Sequence, residues 1–460
     1  MTAGKRESTL NVSRKHKSDT AHVVSCRAII GNLVNFEKDS FDVVFDKPVK
    51  VLGTSINDGV YMVTDNPMAY DNGTRYRWPF PGGRAGIDID CTLTIQSQSD
   101  LTTTKSTIKI PLYEKKYVIN AEEVISIHGS CLSFDKKSLW LTLISGYKEN
   151  NKLIQLSLDD FSVMKSIDLP FVPNGLCLNP YNGLLYILPY IKDLYLGYSD
   201  YLCVVNPESG KLVKTIKIEQ SPYAHQQFPT NYPSSLAFTR DGFGIIILRA
   251  AASTDLEWRY IDSADNDKIT LIEKNDFPPR INTVYHNYDY SRIYATTGNY
   301  FTLINWFDRQ HKNPGVLKLD GRFNSTEYYA GGNLETFAMS PYANKVFISA
   351  SPCSHCVVNL DPVGYSKVCI EESRDSRSVW DGLVSDRDYV YQVCGYSGLQ
   401  ELFDMTKGDI IFATKHTFIM GSDQDLVACH FLPDTDQLLV TSLTSVTLLD
   451  AADMKRRSQK

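Results

Sequence analysis

No stretch of this 460-residue chain approaches the roughly 18 consecutive apolar residues of a membrane-spanning helix; the longest candidate, Gly244 to Leu248, stops at Arg249. Membrane insertion is not expected. The N-terminus carries basic residues with no apolar segment behind them, so no secretory signal is expected and the cytoplasm is the default compartment. Positive charge is also short, with 47 Lys plus Arg against 53 Asp plus Glu, a net charge of −6. Nucleic acids and anionic membranes are held by clustered positive charge, so neither is an expected partner. The two basic clusters, Lys5 to Lys17 and Lys455 to Lys460, read as solvated tails. The 10 cysteines are irregularly placed and lack the density of a small secreted disulfide framework; they read mainly as reduced thiols.

What the chain does have is apolar and aromatic content: 43% hydrophobic, 11% aromatic and 22% charged residues are enough to bury a large core. Residues 1–20 are polar and aperiodic and are expected to be a disordered basic tail. From 21 to 116 the pattern alternates with period two. Phe41, Val43 and Phe45 alternate with Asp42, Val44 and Asp46, and Ile87 and Ile89 with Asp88 and Asp90; Leu93, Ile95, Ile108, Ile110 and Leu112 follow. Breakers fall at Lys47-Pro48, Asn57-Asp58-Gly59, Asn72-Gly73 and Pro79 to Gly83. About seven short strands in about ninety residues has the rhythm of an immunoglobulin-like β-sandwich.

From 117 to 456 the sequence repeats. Trp140, Tyr186, Ile246, Tyr294, Phe347, Tyr391 and Leu439 mark the middle of one strand in each unit, about 44 to 60 residues apart. A small apolar residue precedes each: Cys131, Cys177, Ala237, Val284, Ala338, Val384 and Cys429. A third strand in each unit runs into an acid or amide, at Asp159, Asn206, Asp262, Asp308, Asp361, Asp404 and Asp450. Such units are the blades of a seven-bladed β-propeller, because a lone four-stranded sheet cannot bury both faces and needs a neighbour on each side. The small residues suit first strands crowded around the axis, which makes Cys131, Cys177 and Cys429 core fillers. The last unit lacks a fourth strand of its own, and residues between Tyr117 and Ile127 are expected to supply it and so cover an open edge. The expected fold is all-β: an N-terminal β-sandwich followed by the propeller.

The stretches Val205 to Ile216, Pro173 to Tyr186 and Pro233 to Gly242 resemble the strand-turn pattern of YVTN-type propellers, relatives of the propeller lactonases and quinoproteins. The resemblance implies the fold over about residues 120 to 455 and leaves function open, because the matching residues are turn and core positions.

In such a fold the loops between strands two and three, and between strand four and the next blade, open on one face. Here they are long and aromatic. They place Tyr195, Tyr223, His225, Tyr329 and Trp380 as candidate ligand contacts, with the capping of blade ends as their simpler role. Cys353-Ser-His-Cys356 has thiolate and imidazole donors; with Cys394 on the neighbouring unit, Cys353, His355 and Cys356 would complete a four-donor set, although one Cys-x-x-Cys is a weak zinc signal and no metal or cofactor is called. His128, His225, His286, His355 and His430 are scattered over the chain, and no Gly-x-Ser-x-Gly elbow, His-Glu-x-x-His helix or phosphate loop accompanies them. His430 either faces the channel or is a hydrogen-bonded structural histidine. The expectation is a non-catalytic recognition protein that binds a protein or carbohydrate through the loop face. A lactonase-like hydrolase with a site at the channel mouth is the alternative.

Overall fold

The computed structural model describes residues 20–29, 31–35, 40–56, 67–79, 89–99, 101–110, 115–119, 125–145, 151–189, 201–218, 231–250, 256–271, 284–287, 289–296, 303–310, 315–318, 336–340, 345–350, 354–360, 363–370, 382–393, 399–415 and 426–458. The chain divides into two units: Met1–Glu114 with Phe412–Ser422 and Arg457–Lys460, and Lys115–Ile411 with Asp423–Arg456.

In the N-terminal part the strands are β1 (Val23–Ile29), β2 (Ser40–Phe45), β3 (Val49–Ile56), β4 (Met68–Tyr70), β5 (Arg75–Pro79), β6 (Ile89–Ser97) and β7 (Thr103–Ile110). They form two antiparallel sheets, ordered β1-β2-β5-β4 and β3-β6-β7. Period-two alternation sends Phe41, Val43, Phe45, Tyr76 and Trp78 of the first sheet into one core with Val49, Cys91, Leu93 and Ile95 of the second. Two side chains tie the sheets at fixed points, Tyr76 OH donating to the Val49 carbonyl at 2.6 Å and Trp78 Nε1 to Thr54 Oγ1 at 3.0 Å. Phe41 stacks on Trp78 at 5.1 Å. Cys26 and Cys91 share this core, and burial pushes both thiols up to about 12, which keeps them protonated.

The second unit is the propeller. After β8 (Lys115–Val118), the first blade is β9 (Ile125–Leu132), β10 (Ser138–Ser145), β11 (Lys152–Ser157) and β12 (Val163–Asp168). Blade two is β13 (Pro173–Leu178), β14 (Leu185–Pro189), β15 (Tyr201–Asn206) and β16 (Lys211–Lys217); blade three is β17 (Asn231–Phe238), β18 (Phe243–Ala250), β19 (Leu256–Asp262) and β20 (Lys268–Leu271). Blade four is β21 (Val284–His286), β22 (Ile293–Thr296), β23 (Leu303–Phe307) and β24 (Gly315–Lys318); blade five is β25 (Thr336–Met339), β26 (Lys345–Ala350), β27 (Ser354–Leu360) and β28 (Val363–Ile370). Blade six is β29 (Gly382–Ser385), β30 (Tyr389–Val393), β31 (Leu399–Asp404) and β32 (Asp409–Lys415). Blade seven is β33 (Leu426–Leu432), β34 (Gln437–Ser442) and β35 (Ser445–Asp450), with β8 as its fourth strand.

First strands pack on first strands along β9, β13, β17 and β21, and from β25 through β29 and β33 back to β9, which joins the last blade to the first. The closure combines the two ends of the unit as the sequence required: Tyr117 pairs with Val446 and Val118 with Ser445. The supplied strand is Lys115–Val118, starting earlier than the expected segment, and Ile127 belongs instead to β9, where its N–H donates to the Leu443 carbonyl at 2.6 Å.

The seven marker residues all lie on second strands and are buried. A second strand has a blade on either side, so both its faces are apolar, and β10 is buried along its whole length. Leu139, Leu141 and Leu143 pack against Leu432, Leu439 and Val446 of blade seven. Trp140, on the other face, joins Leu185, Ile187, Cys203 and Val205 of blade two. Each fully buried side chain of this size contributes about 1.5–3 kcal/mol, so the interfaces between blades are the core of the molecule. Close packing also fixes Gly244: a Cβ there would lie 2.6 Å from Phe238 Cδ1 and 2.7 Å from Ile261 Cγ2.

The small first-strand residues face the markers directly in four blades, as Cys131 with Trp140, Cys177 with Tyr186, Ala338 with Phe347 and Val384 with Tyr391. In the other three blades the small residue pairs with a direct neighbour of the marker: Ala237 with Ile245, Val284 with Ala295 and Cys429 with Val440. One helix, α1 (Ala451–Ser458), follows β35, and among the described residues no helix is long and apolar enough to cross a membrane.

Candidate functional site

The connections between strands one and two, and three and four, emerge on one face of the ring and are short turns held by side chains. Asn206 Oδ1 accepts from Glu208 N (2.8 Å) and Ser209 N (3.0 Å), Asp262 Oδ1 from Ala264 N (3.0 Å), Asp308 Oδ1 from Gln310 N (2.9 Å), and Asp404 Oδ1 from Thr406 N (2.9 Å). In these four blades this is the physical content of the acid or amide that follows the third strand: it completes an Asx turn. A second polar series follows the first strands. Asn179, Thr239, Asn287, Ser340 and Asp386 are buried, and the backbone N–H of each closes its own turn.

Charges on this turn face join one blade to the next. Arg309 of blade four donates to Asp241 Oδ2 (3.0 Å) and to both oxygens of Asp262 (2.6 and 2.9 Å) in blade three. Burial alone would raise the Asp241 acid, but the Thr239 hydroxyl, the Phe243 N–H and the Arg309 guanidinium outweigh it and hold it below the usual carboxylate range. Asp267 of blade three accepts from Tyr186 OH of blade two (2.6 Å) and Ser263 Oγ (2.7 Å), and pairs with Lys214 of blade two. Burial, and then the Asp267 bond, push the Tyr186 phenol up to about 12.

Across the turn-face end of the channel, Tyr290 of blade four meets Phe134 of blade one edge-on at 6.5 Å and stacks on His286 at 4.0 Å. Burial pushes the Tyr290 phenol up to about 12, the Cys131 thiol up to about 11 and the His286 ring down. Further along the inner strands, His430 Nε2 and Ser130 Oγ lie 2.7 Å apart, linking blade seven to blade one, and His128 Nε2 lies 2.8 Å from Ser126 Oγ. Burial pushes His430 down to about 4, so its imidazole is neutral at physiological pH and fills the structural of its two expected roles.

Sequence reasoning missed one cluster on this face. It read Lys455 within a solvated tail; Lys455 lies on α1 with only 19% of its side chain exposed. Its Nζ is 2.6 Å from Asp386 Oδ2 and 2.7 Å from Asp436 Oδ1. Three rings surround the same atom, Tyr389 at 5.1 Å, Phe431 at 5.3 Å and Tyr391 at 5.8 Å. Burial works against the charge, but the two carboxylates outweigh it and raise the ammonium above its ordinary value. The signal available in the sequence was the return of helical spacing after Asp450, with Ala451 and Met454 as the buried positions.

The residues singled out from sequence fall elsewhere. Tyr195, Tyr223, His225, Tyr329 and Trp380 lie outside the described residues, as do Cys353 and Cys394. His355 and Cys356 lie within β27, pairing with Cys369 and Val368. Among the described residues, no group of three or more His, Cys, Asp or Glu could hold a metal ion. At the opposite end of blade six from the turns, the amides of Gln392 and Gln400 are buried without a hydrogen-bond partner among the described residues.

No family model matches the chain, and no curated protein matches it. Among solved structures it is similar to U3-55K, at 10% identity over 70% of this chain and 95% of that one, with a TM-score of 0.47. It is similar to the WD40 repeats of RRP9 at 11% identity over 71% of this chain and 95% of that one, again with a TM-score of 0.47.

Proposed function

We propose that this chain is a non-catalytic recognition protein that holds a protein or carbohydrate on the loop face of its propeller, with the N-terminal sandwich as an accessory binding or positioning domain. The observation that carries the reading is the unequal length of connections at the two ends of the blades. On the turn face the chain passes from Phe238 to Phe243, from Leu360 to Val363 and from Ser385 to Tyr389. At the other end it runs from Pro189 to Tyr201, Lys217 to Asn231, Lys318 to Thr336 and Ile370 to Gly382. Long connections cost conformational entropy and add little to a blade core, so a ligand-facing role accounts for their length. Those four segments contain Tyr195, Tyr223, His225, Tyr329 and Trp380, residue types that give large contact area with a polar handle.

We read the sandwich as immunoglobulin-like, because β1-β2-β5-β4 against β3-β6-β7 is the strand order of the seven-stranded members of that architecture. Glycan arrays and pull-down from a cytoplasmic extract test the recognition reading. Trp380→Ala or Tyr223→Ala is expected to weaken the captured ligand by about 1 kcal/mol or more. Undiminished binding by a folded chain carrying alanine at all five positions would remove the loop face as the site.

A further inference from the structure

We infer that β7 (Thr103–Ile110) is a docking edge, where an extended acidic segment of a partner protein adds to the sandwich as a further strand. The turn before β7 fixes which of its backbone groups are open. Ser97 N donates to the Thr102 carbonyl at 2.9 Å, so that pair is hydrogen-bonded and the alternation runs on along the ladder from Gln96↔Thr103 to Ile89↔Ile110. Thr104, Ser106, Ile108 and Ile110 therefore bond to β6, and the N–H and C=O of Thr103, Lys105, Thr107 and Lys109 point away from it. The 3.2 Å approach of the Thr92 and Thr107 hydroxyls fits this phase, because side chains come closest at a non-hydrogen-bonded pair. The side chains of the same four residues are exposed. β1, the neighbouring strand of the other sheet, is hydrogen-bonded to β2 and not to β7.

The other edges of the sandwich are blunted. β1 shifts register between Val23 and Ser25, β3 shifts between Val51 and Gly53, and β4 has only three residues. In the propeller the outer strands β12, β16, β28 and β8 carry register shifts as well. Bulges and short strands guard a sheet edge against pairing with another chain. β7 has neither: its eight residues include no Pro or Gly, and its register against β6 is continuous.

The guard that β7 does keep is charge, and charge selects the occupant. Lys105 and Lys109 project from the exposed face with Thr107 between them, and neither forms an ion pair among the described residues. Lys109 faces Asp90 across the ladder and Lys105 faces Thr94, so Lys105 is the less compensated of the two. A second copy paired antiparallel about Thr107 would set Lys105 against Lys109 of that copy. The chain's own N-terminal residues Lys5, Arg6, Arg14, Lys15 and Lys17 carry the same sign. Like charges directly opposite destabilise a strand pair and opposite charges support it. The chemistry that fits is an extended peptide with carboxylates four residues apart, one opposite each lysine. Backbone pairing supplies its affinity and the lysines its selectivity. The site belongs to the sandwich alone and does not depend on the loop-face reading.

The probe is a fluorescein-labelled heptapeptide, Thr-Glu-Val-Thr-Val-Glu-Thr, titrated into the full-length chain and followed by anisotropy. Hydrogen exchange at Thr103, Lys105, Thr107 and Lys109 should slow at saturating probe. The same peptide N-methylated at both glutamates and the central threonine keeps its charge but loses the N–H groups that face β7, and it should not bind. Reversing both lysines, Lys105→Glu with Lys109→Glu, should weaken the probe about tenfold, as two cross-strand attractions become repulsions, and should favour the peptide with lysine in place of glutamate. Alanine at Tyr195, Tyr223, His225, Tyr329 and Trp380 together should leave probe binding unchanged, which separates this test from that of the loop face. If the N-methylated peptide binds as well as the probe, the contact is charge without strand addition and the proposal fails. If the wild-type chain does not bind the probe, or binds it with no slowing at the four amides, the proposal fails equally. These arms use the wild-type chain and stand should the double variant not fold.

Discussion

The sandwich and the propeller each gather acids and cations around one point, and they do it in opposite ways. In the sandwich one acid, Asp42, is surrounded by three arginines: Arg75 Nε at 3.1 Å, Arg77 Nε at 2.7 Å and Arg27 at 3.5 Å. Every partner belongs to the same sheet, and Arg27 and Arg77 are the direct register partners of Asp42 on the flanking strands. The Tyr70 ring lies beside Arg75 and Arg77 at 5.6 and 5.7 Å. In the propeller the acids and rings come from two blades, and the cation comes from a helix outside the sheets. The first cluster is set by strand register alone, whereas the second is completed only when the helix packs against the blades.

The comparison breaks first at Asp42. Its carboxylate is 1% exposed and Arg75 and Arg77 are each 29% exposed, so Asp42→Ala leaves these two half-buried guanidinium groups beside each other. Discounting for that exposure, a loss of about 2–3 kcal/mol is expected in the transition that reports the sandwich, read by urea unfolding followed at Trp78. Burial would raise the Asp42 acid, but hydrogen bonds from Arg77 and then Arg75 outweigh it and depress it. A depressed acid stabilises above its unfolded value and loses that contribution as pH falls through the folded one. Wild type should therefore weaken more than Asp42→Asn below about pH 4. Equal acid sensitivity would show the cluster to be ornamental.

His430 sharpens the comparison as a third solution, in which the charge is avoided. Its folded value near 4 lies below the ordinary 6.5, so the unfolded chain binds the proton first and propeller stability falls as pH drops from about 6.5 towards 4. Because the ring is partly accessible the effect is about 2 kcal/mol at most. His430→Asn should flatten the slope in that window, and an NMR titration placing the ring near its ordinary value would refute the assignment.

The smallest effect belongs to Lys455, at about 1 kcal/mol. A raised lysine stabilises below its unfolded value and loses that contribution as pH rises through the folded one. Protection of the α1 amides should persist past about pH 10 and then fall, whereas in Lys455→Met it should be low throughout.

Most of the propeller was legible along the chain. Trp140, Tyr186, Tyr294, Phe347, Tyr391 and Leu439 could be aligned because a strand flanked by two blades must be apolar on both faces, and such runs stand out. Acids at Asp262 and Asp404 could be aligned because Asx turns need that side chain at that point. Ile246 also falls in the middle of a second strand, β18, although the run Gly-Ile-Ile-Ile-Leu is apolar throughout and carries no phase of its own. Asp42 alternates like a solvent-facing residue, and its burial by neighbouring arginines follows from strand pairing that local pattern does not encode.

The sequence by itself determined the all-β class, the number of blades, the turn chemistry and the need for a strand from before the first blade to complete the last. These are set by local periodicity and by the rule that sheet edges and faces must be covered. Only the tertiary structure decided which charges meet: Arg309 with Asp241 and Asp262, Tyr186 with Asp267, and Lys455 with Asp386, Asp436 and three rings. Those partners lie in different blades, and closing the ring, which is driven by apolar burial indifferent to polar identity, is what brings them within hydrogen-bonding distance.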